Sequence, residues 1–457
     1  MDTRLDLVVE YMDAGRLCPF GRNARTHSKK QIRQLADSIR AFGFTNPVLI
    51  DDSGTILAGH GRVEAAKLLG MTSIPCVRLS NMTVAQKRTY VLADNKLALN
   101  AGWDEELLTI ELQELLACDL DFDIEITGFS TAEIDGLVAS MKPEEQGDPA
   151  DEQLPSLSDG TPVSRPSDLW ILGNHKLYCG DSRDPKSFEA LLGSEKAQMV
   201  FTDPPYNLPI EGNVSGLGRV KHREFAMAAG EMSSAEFTRF LEAIFGNLAT
   251  FSVDGSIHFV CMDWRHAPEI LKAGSDTYSE LKNLCVWVKD NGGMGTFYRS
   301  RHELIFAFKS GDAPHVNSFE LGQHGRYRTN VWQYRGMNSL SAKRQEELGL
   351  HPTVKPVAMI ADAIKDVSSR SGIVLDCFGG SGSTLIAAHK TGRQARLIEI
   401  DTLYVDRIIR RWEEYAKDDA ILAATEQVYA EVAGGVVLMP RALRHDSEIT
   451  TLPRRTL

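Results

Sequence analysis

Apolar residues recur at helical spacing from Ile32 to Phe42, so that one face of this segment is hydrophobic and the other is polar. Ser28 stands three residues before Gln31, which is the spacing of a capping box, and Gly43 is a residue type that ends helices. The pattern therefore predicts an amphipathic helix that begins after Ser28 and ends at Gly43.

The hydrophobic runs become shorter after this helix. The segment NPVLIDDSGTILAGHGR predicts two strands joined by a turn at residues 52–54, followed by the helix VEAAKLLG and the strand IPCVRL. Thr83 and Gln86 have capping-box spacing before a further helix, and residues 103–116 have another amphipathic pattern. Residues 1–140 are thus predicted to form a small α/β domain with a helical extension.

Periodicity disappears between residues 141 and 166, where the sequence is rich in acidic residues, Pro, Ser and Gly. Such a composition buries too little apolar surface to offset the entropy lost on ordering. We expect a linker here.

Beyond the linker, apolar runs such as AQMVFT, SIHFVC, ELIFAFK and GIVLDCF alternate with helical patterns such as SAEFTRFLEAIFGNLATF. This alternation predicts a mostly parallel sheet with helices on both faces. We assign residues 167–417 to this domain and residues 418–457 to a C-terminal helix and tail. Ligands of such sheets bind at the carboxyl ends of the strands.

The composition, with 43% hydrophobic and 25% charged residues, is typical of a globular protein. No run reaches the roughly 20 apolar residues of a membrane helix, and the N-terminus has no signal-peptide layout, so we expect a cytoplasmic protein without a membrane partner. The seven cysteines occur singly, which predicts buried apolar residues rather than a disulfide framework or a metal site. The net charge of -12 gives no global attraction to nucleic acid, so any DNA binding would need local basic patches.

Two of the predicted strand ends together indicate an adenosine site. Asp376 ends one strand and is followed by Gly379, Gly380 and Gly382 before the helix STLIAAHK, an arrangement that lets a ligand approach the backbone and the helix amides. Glu399 ends the next strand about twenty residues later, where nucleotide-binding folds place a carboxylate on ribose hydroxyls. The alternative is that the glycines form only a sharp turn and that Glu399 is a solvated acid at a strand end. The combined pattern favours adenosine binding.

The stretch FTDPPYN ends another strand and is more specific. Asp203, Pro204, Pro205 and Tyr206 form a rigid turn that presents a carboxylate, a backbone carbonyl and an aromatic ring. The two oxygens suit the hydrogens of a base amino group, and the ring suits stacking on that base. A strand terminator with a buried tyrosine is the less favoured alternative.

Four stretches, TDPPYN, HPTVKP, LDCFGGSGST and LIEID in this order, resemble the motifs of beta-class S-adenosylmethionine-dependent DNA amino-methyltransferases. The resemblance covers roughly residues 166–415 and implies a Rossmann-like methyltransferase fold with a mostly parallel sheet. It implies that the DPPY residues form the catalytic pocket. It also implies that the cofactor is held by Asp181, Thr353, Lys355, Asp376, Phe378, Gly379, Gly380, Gly382 and Glu399.

The resemblance implies methyl transfer to a flipped-out base of duplex DNA, directly and in line, with no covalent enzyme intermediate. DPPY rather than SPPY favours adenine, and the cytosine amino group remains an alternative. Two further alternatives are a ParB-like partition protein with a secondary methylase domain and a methylase of RNA or protein. Methylases of this class are often homodimers, which we keep as an expectation.

Basic clusters that lie between predicted core elements are the candidates for DNA contacts. Solvated loop charges are an equally good explanation for any single residue. The candidates are Arg219, Lys221, Arg223, Arg299, Arg326 and Arg328.

The front domain resembles the N-terminal domain of the partition protein ParB and its sulfiredoxin-like relatives, on the stretch TNPVLIDDSGTILAGHGRVEAAKLLG. Gly59, His60, Gly61 and Arg62 stand where that family has a phosphate-binding motif, which implies an anion or nucleotide site. Gly61 replaces an arginine of that motif, and a tight strand-to-helix turn is the equal alternative.

Overall fold

The computed structural model describes residues 7–118, 120–140, 150, 154–155, 157, 160–208, 228, 230–290, 298–319, 328–335 and 354–435. The chain divides into two compact units, Met1–Pro143 and Glu144–Leu457. The division falls at the start of the predicted linker. None of the described helices is long and apolar enough to cross a bilayer.

The first unit contains a four-stranded sheet with its strands in the order β1-β4-β2-β3. Its strands are β1 (Val9–Asp13), β2 (Val48–Ile50), β3 (Ile56–Ala58) and β4 (Ser73–Arg78). Its helices are α1 (Lys29–Phe42), α2 (His60–Leu68), α3 (Val84–Leu97), α4 (Glu105–Ala117) and α5 (Thr131–Ser140). The predicted hairpin is confirmed, because β2 and β3 pair antiparallel around a turn in which Gly54 has a φ of 79°.

The predicted ends of α1 and the predicted start of α3 agree with the structure, whereas α2 begins at His60, three residues before its predicted start. The Ser28 hydroxyl accepts a hydrogen bond from the Gln31 amide at 3.1 Å, and Gly43 follows α1 with a φ of 79°. The Thr83 and Gln86 capping box forms in both directions, with bonds of 2.8 and 3.2 Å. These bonds satisfy amides that a helix leaves without an internal partner.

The second unit is built on an eleven-stranded sheet. Its strands are β5 (Leu169–Leu172), β6 (His175–Cys179), β7 (Ala197–Thr202), β8 (Ser252–Met262), β9 (Glu280–Val288), β10 (His302–Ser310), β11 (Val331–Gln333), β12 (Ile373–Asp376), β13 (Gln394–Glu399), β14 (Ile421–Leu422) and β15 (Gln427–Val428). Its helices are α6 (Pro185–Leu192), α7 (Ser234–Thr250), α8 (Ala267–Thr277), α9 (Val357–Val367), α10 (Ser383–Lys390), α11 (Thr402–Ala416) and α12 (Tyr429–Ala433).

The centre of this sheet is parallel, as the sequence predicts. Strands β6, β13, β12, β7 and β8 are neighbours in that order and run in one direction. Successive residues at the end of β7 enter two different cores, with Met199 and Phe201 in one and Val200 in the other. Helices therefore cover both faces, which is the architecture of a Rossmann-like methyltransferase fold.

Two predicted boundaries of the second unit are corrected. The linker does not extend to residue 166, because the amides of Val163 and Ser164 donate to the Asp406 carboxylate of α11 at 2.8 and 3.0 Å. The segment after residue 417 is not only a helix and tail, because β14 pairs with β5 and extends the sheet. Local sequence cannot show either pairing, since both partners are distant along the chain.

Five of the seven cysteines are buried, and Cys18 and Cys118 are exposed. The expectation of burial is therefore wrong for these two.

Candidate functional site

The four predicted site carboxylates lie at or just after the ends of neighbouring parallel strands. Asp203 follows β7, Asp376 ends β12, Glu399 ends β13, and Asp181 lies two residues after β6. The chain leaves β7 towards β8, whereas it leaves β12 towards β13, so the strand order reverses between Asp203 and Asp376. Such a reversal opens a crevice at the carboxyl edge of a sheet.

The DPPY turn holds its polar groups in a network. The Tyr206 hydroxyl lies 2.6 Å from Asp203 Oδ1 and 3.2 Å from Glu303 Oε2, and it donates to the nearer oxygen. Burial, together with the two carboxylates, raises the pKa of Tyr206 well above its usual range. The tyrosine is therefore a neutral hydrogen-bond donor that fixes the orientation of Asp203.

Lys355 lies between the two carboxylates of this network. Its ammonium contacts Asp203 Oδ2 at 2.6 Å and Glu303 Oε2 at 3.0 Å, and its side chain is only 4% exposed. We predicted Lys355 for the cofactor. The structure places its charged end on the Asp203 carboxylate, and its contact with the cofactor stays a prediction.

Charge is balanced within this cluster. Lys289 also forms an ion pair with Glu303, so two cations face two carboxylates. Burial would raise the pKa of Glu303, but the two ammonium groups outweigh it and hold this pKa well below its usual range. Glu303 is therefore ionised at neutral pH.

Asp376 is buried and receives three hydrogen bonds. Its Oδ1 accepts from the Thr202 hydroxyl at 2.9 Å and the Phe378 amide at 3.1 Å, and its Oδ2 accepts from the Thr384 hydroxyl at 2.7 Å. Burial nevertheless raises its pKa to about 7. A buried carboxylate whose pKa is raised this far is typical of a functional site.

The glycine turn packs closely between β13 and α11. The Gly379 amide donates to the Ile398 carbonyl at 2.9 Å, and a Cβ at Gly379 would come within 3.0 Å of the Ile408 side chain. Gly380 and Gly382 have φ values of 52° and 79°, in the region that favours glycine. The turn thus needs glycine, and it leads directly into α10.

Glu399 connects this turn to the next strand. Its Oε2 accepts from the Gly380 amide at 2.8 Å, and its Oε1 accepts from the Asp401 amide at 2.9 Å. Burial raises its pKa to about 7. The glycine turn and Glu399, predicted as two halves of one site, are joined by a direct hydrogen bond.

Asp181 is partly exposed and pairs with Arg183 at 2.6 Å. Burial raises the pKa of Asp181, but the hydrogen bonds from Arg183 outweigh this effect and lower it. Its carboxylate is therefore ionised at the end of the same crevice.

Asn207 connects the DPPY turn to the chain that returns at Met232. Its Nδ2 donates to the Met232 carbonyl at 2.8 Å, and its Oδ1 accepts from the amides of Met232 and Gly230 at 3.1 and 3.2 Å. Its φ of 52° is tolerated by asparagine more readily than by most residues. The residues between 209 and 227 are therefore flanked by a fixed start and a fixed end.

Two of the predicted DNA-binding residues, Arg299 and Arg328, lie in the described part of the chain. Arg299 is exposed, whereas the guanidinium of Arg328 donates to Asp366 at 2.9 Å and lies 5.2 Å from the Trp332 ring. These contacts favour a structural role for Arg328 over a DNA contact. The predicted residues Arg219, Lys221, Arg223, Arg326 and Thr353 lie outside the described residues.

The predicted anion site of the first unit has its polar side chains already engaged. Arg62 donates to the Asn46 carbonyl at 2.7 Å, and His60 Nε2 accepts from the Phe20 amide at 3.2 Å. Gly59 has a φ of 98° at the start of α2. The site stays a prediction, and the turn explains these contacts equally well.

The structure explains why glycine stands at position 61. A Cβ there would come within 2.9 Å of the Leu35 side chain and 3.1 Å of the His27 ring. The closeness of α2 to the start of α1 therefore excludes a larger side chain in this geometry.

Sequence reasoning missed Glu303, Lys289, Thr202 and Thr384. Glu303 was visible only as an acid within the apolar run RHELIFAF. Because β10 is antiparallel to β8, its first residues lie at the edge where the parallel strands end. That strand direction is not encoded in any local pattern.

Comparison with known proteins finds matches to three parts of this chain. A family model described as DNA methylase matches residues 197–410, one for the ParB N-terminal domain matches residues 12–96, and one for the ParB-methyltransferase HTH domain matches residues 106–166. The last of these covers the predicted helical extension and the linker.

Individual relatives follow the same division. The ParB-like nuclease domain-containing protein YnaK of Escherichia coli (strain K12) is 52% identical over 82 residues, which are 18% of this chain and 94% of that protein. The type II methyltransferase M2.MboI of Moraxella bovis is 24% identical over 53% of this chain and 88% of its own length. The DNA adenine methyltransferase YhdJ of Escherichia coli (strain K12) is 26% identical over 48% of this chain and 77% of its own length. The chain thus carries a DNA methylase domain over residues 197–410 and ParB-type domains in front of it.

Proposed function

We propose that this protein transfers the methyl group of S-adenosylmethionine to the exocyclic amino group of adenine in duplex DNA. The observation that carries the proposal is the partly buried Asp203, which the Tyr206 hydroxyl holds at 2.6 Å at the edge where β12 and β13 place Asp376 and Glu399. An acceptor for an amino group thus lies beside a nucleotide-type crevice.

The amino nitrogen of adenine is a weak nucleophile, because its lone pair is delocalised into the ring. Asp203 and the Pro204 carbonyl are suited to accept its two hydrogens, which favours a pyramidal nitrogen with a localised lone pair. As the nitrogen gains the methyl group it loses one proton, and the Asp203 carboxylate is positioned to receive it. Proximity and orientation supply much of the rate.

The crevice fits the proposed cofactor. The close packing of Gly379 leaves a backbone surface without side chains, and Glu399 offers a carboxylate to hydroxyl donors. Asp376, Phe378, Gly380 and Gly382 complete this side of the crevice, and Asp181 stands at its far end. When bound, S-adenosylmethionine supplies the electrophilic methyl group.

A base in duplex DNA must leave the helix to reach Asp203. Extrusion costs a few kcal/mol, which contacts between protein and DNA must offset. The exposed Arg299 is the described candidate for such a contact, and the remaining basic candidates lie outside the described residues.

Adenine is favoured over the cytosine amino group by the DPPY sequence and by the relative named as an adenine methyltransferase. Both bases present a similar amine, so methyl transfer to cytosine is the alternative. The intact network of Asp203, Tyr206 and Glu303 argues against a partition protein with a decayed methylase. A homodimer and a nucleotide at the first unit stay predictions.

Modified-base sequencing tests the proposal directly. We expect N6-methyladenine at a defined sequence in DNA from cells that lack endogenous methylases and express this chain. Asp203→Ala should abolish the modification while S-adenosylmethionine binding, measured by calorimetry, persists. Asp276→Ala, which removes a 45% exposed side chain at the end of α8, serves as the control. Methylcytosine would establish the alternative base, and a fully active Asp203→Ala variant would refute the pocket.

A further inference from the structure

Lys355 is a buried cation that is held entirely by the catalytic network. Its ammonium lies 2.6 Å from Asp203 Oδ2, 3.0 Å from Glu303 Oε2 and 3.2 Å from the Tyr206 hydroxyl. It also lies 5.5 Å from the centre of the Tyr206 ring. A lysine with 4% of its side chain exposed needs such partners, because an unpaired buried ammonium is costly.

Asp203 is surrounded by titratable groups from several elements. Tyr206 comes from its own turn, Lys355 from the segment before α9, and Glu303 from β10. Cys261 on β8 and Asp376 on β12 are two further groups that interact with it electrostatically. Apart from Lys355, none of these groups carries a positive charge in any protonation state. Among the described residues, Lys355 is therefore the cation that contacts Asp203 directly.

The ionisation of Asp203 therefore depends on two opposing effects, one from the Lys355 ammonium and one from the other surroundings of Asp203. Burial and the Glu303 charge raise the pKa of Asp203, whereas the Lys355 ammonium lowers it. A protonated Asp203 would lose acceptor capacity towards an amino group and could not receive the proton that this group releases. The lysine thus acts on the reaction through the charge state of the carboxylate.

We propose that Lys355 is a positioning residue that keeps Asp203 ionised and oriented for the target amino group, and that Glu303 opposes it by keeping Asp203 basic. This inference rests on the proposed function, since it assigns the tuning of the same pocket. Glu303 has a second role in this arrangement, because its Oε2 holds the Lys355 ammonium while its Oε1 is paired with Lys289.

The two residues should shift the pH dependence of methyl transfer in opposite directions. Lys355→Met removes the cation and should move the acid limb of the rate profile to higher pH by about one to three pH units, which is the usual effect of an adjacent opposite charge. At pH values below the acid limb of the unmodified protein, this shift lowers the rate of methyl transfer by about 10-fold to 1000-fold, and a higher pH restores the rate. Glu303→Gln removes the opposing charge and should move the limb to lower pH.

The experiment measures single-turnover transfer from tritiated S-adenosylmethionine to unmethylated bacterial genomic DNA from pH 5 to 9. The cofactor is kept saturating at each pH, because Asp376 and Glu399 also titrate, with pKa values of about 7. Lys365→Met on α9 is the matched control, because Lys365 pairs with Asp362 at 2.7 Å and does not contact Asp203 in the structure. Its acid limb should coincide with that of the unmodified protein.

Lys355→Arg keeps the charge and should keep the position of the limb even if its rate falls. If Lys355→Met is inactive at every pH, the other two variants test the proposal. It is supported if the acid limb of Glu303→Gln lies at lower pH and the acid limb of Lys355→Arg does not move. Coincident limbs for Glu303→Gln and the unmodified protein overturn it. If the unmodified protein transfers no methyl group to DNA, the proposed function itself fails.

Discussion

Replacing Asp376 with asparagine should stabilise the folded protein while impairing its activity. In Asp376→Asn, the remaining side-chain oxygen can still accept from the Thr202 hydroxyl and the Phe378 amide, whose donors lie 2.9 and 3.1 Å from the carboxylate. The new amide NH2 can donate to the Thr384 hydroxyl, which is both donor and acceptor. The substitution therefore removes a buried charge and can preserve all three of these contacts.

The magnitude follows from the pKa of Asp376, which burial raises from 3.8 to about 7. Because the folded-state pKa is raised, the unfolded chain ionises first, and the carboxylate costs stability as the pH rises from 3.8 to about 7. At about 1.4 kcal/mol per pH unit, the full cost above pH 7 is about 4 kcal/mol, and the cost at pH 5 is about 1.6 kcal/mol. Asp376→Asn should recover these amounts.

Guanidinium unfolding followed by tryptophan fluorescence measures this gain. Five of the six tryptophans lie in the second unit, so the signal reports mainly the unit that contains Asp376. Asp401→Asn is the matched control, because Asp401 caps α11 by accepting from the Leu403 amide at 3.0 Å, and asparagine caps a helix equally well. Stability is measured at pH 5 and at pH 8.5, and we expect the control substitution to change it little at both.

The reasoning would be refuted by a gain of equal size at pH 5 and pH 8.5, or by a loss at pH 8.5. Either result would mean that burial does not penalise the charged form of Asp376. A gain of the expected size would show that the charge of Asp376 costs stability, as expected of a group that serves the crevice.

Two further predictions concern the cofactor and the front domain. Binding of S-adenosylmethionine, measured by calorimetry, should tighten as the pH rises through about 7, because burial raises the pKa of Glu399 to that value and hydroxyl donors favour its ionised form. Glu399→Gln should weaken binding by about 10-fold to 100-fold, the usual cost of a charged hydrogen bond, and should reduce the pH dependence; pH-independent binding by the unmodified protein would contradict this. A fragment of residues 144–457 that folds by circular dichroism should keep some transfer to DNA, and complete inactivity would show that the first unit is not merely accessory.

Much of the fold could be predicted from local patterns. Strand β7 was visible as an apolar run ended by two prolines, and α1 as a periodic segment between a serine cap and Gly43. The glycine turn and Glu399 could be predicted as one site, because parallel strands place successive ends at the same edge. The DPPY turn could be predicted because its chemistry lies in four consecutive residues.

The sequence by itself thus determined the elements, their order and the side chains that end the parallel strands, since these depend on contacts between near neighbours in the chain. Only the tertiary structure decided that β10 runs antiparallel and brings Glu303 to the edge where β7 ends. It also decided that Lys355, 152 residues from Asp203, pairs with that carboxylate rather than with the glycine turn. The physical reason is that a buried charge is tolerated where it meets its opposite, and that meeting depends on how the sheet brings distant residues together.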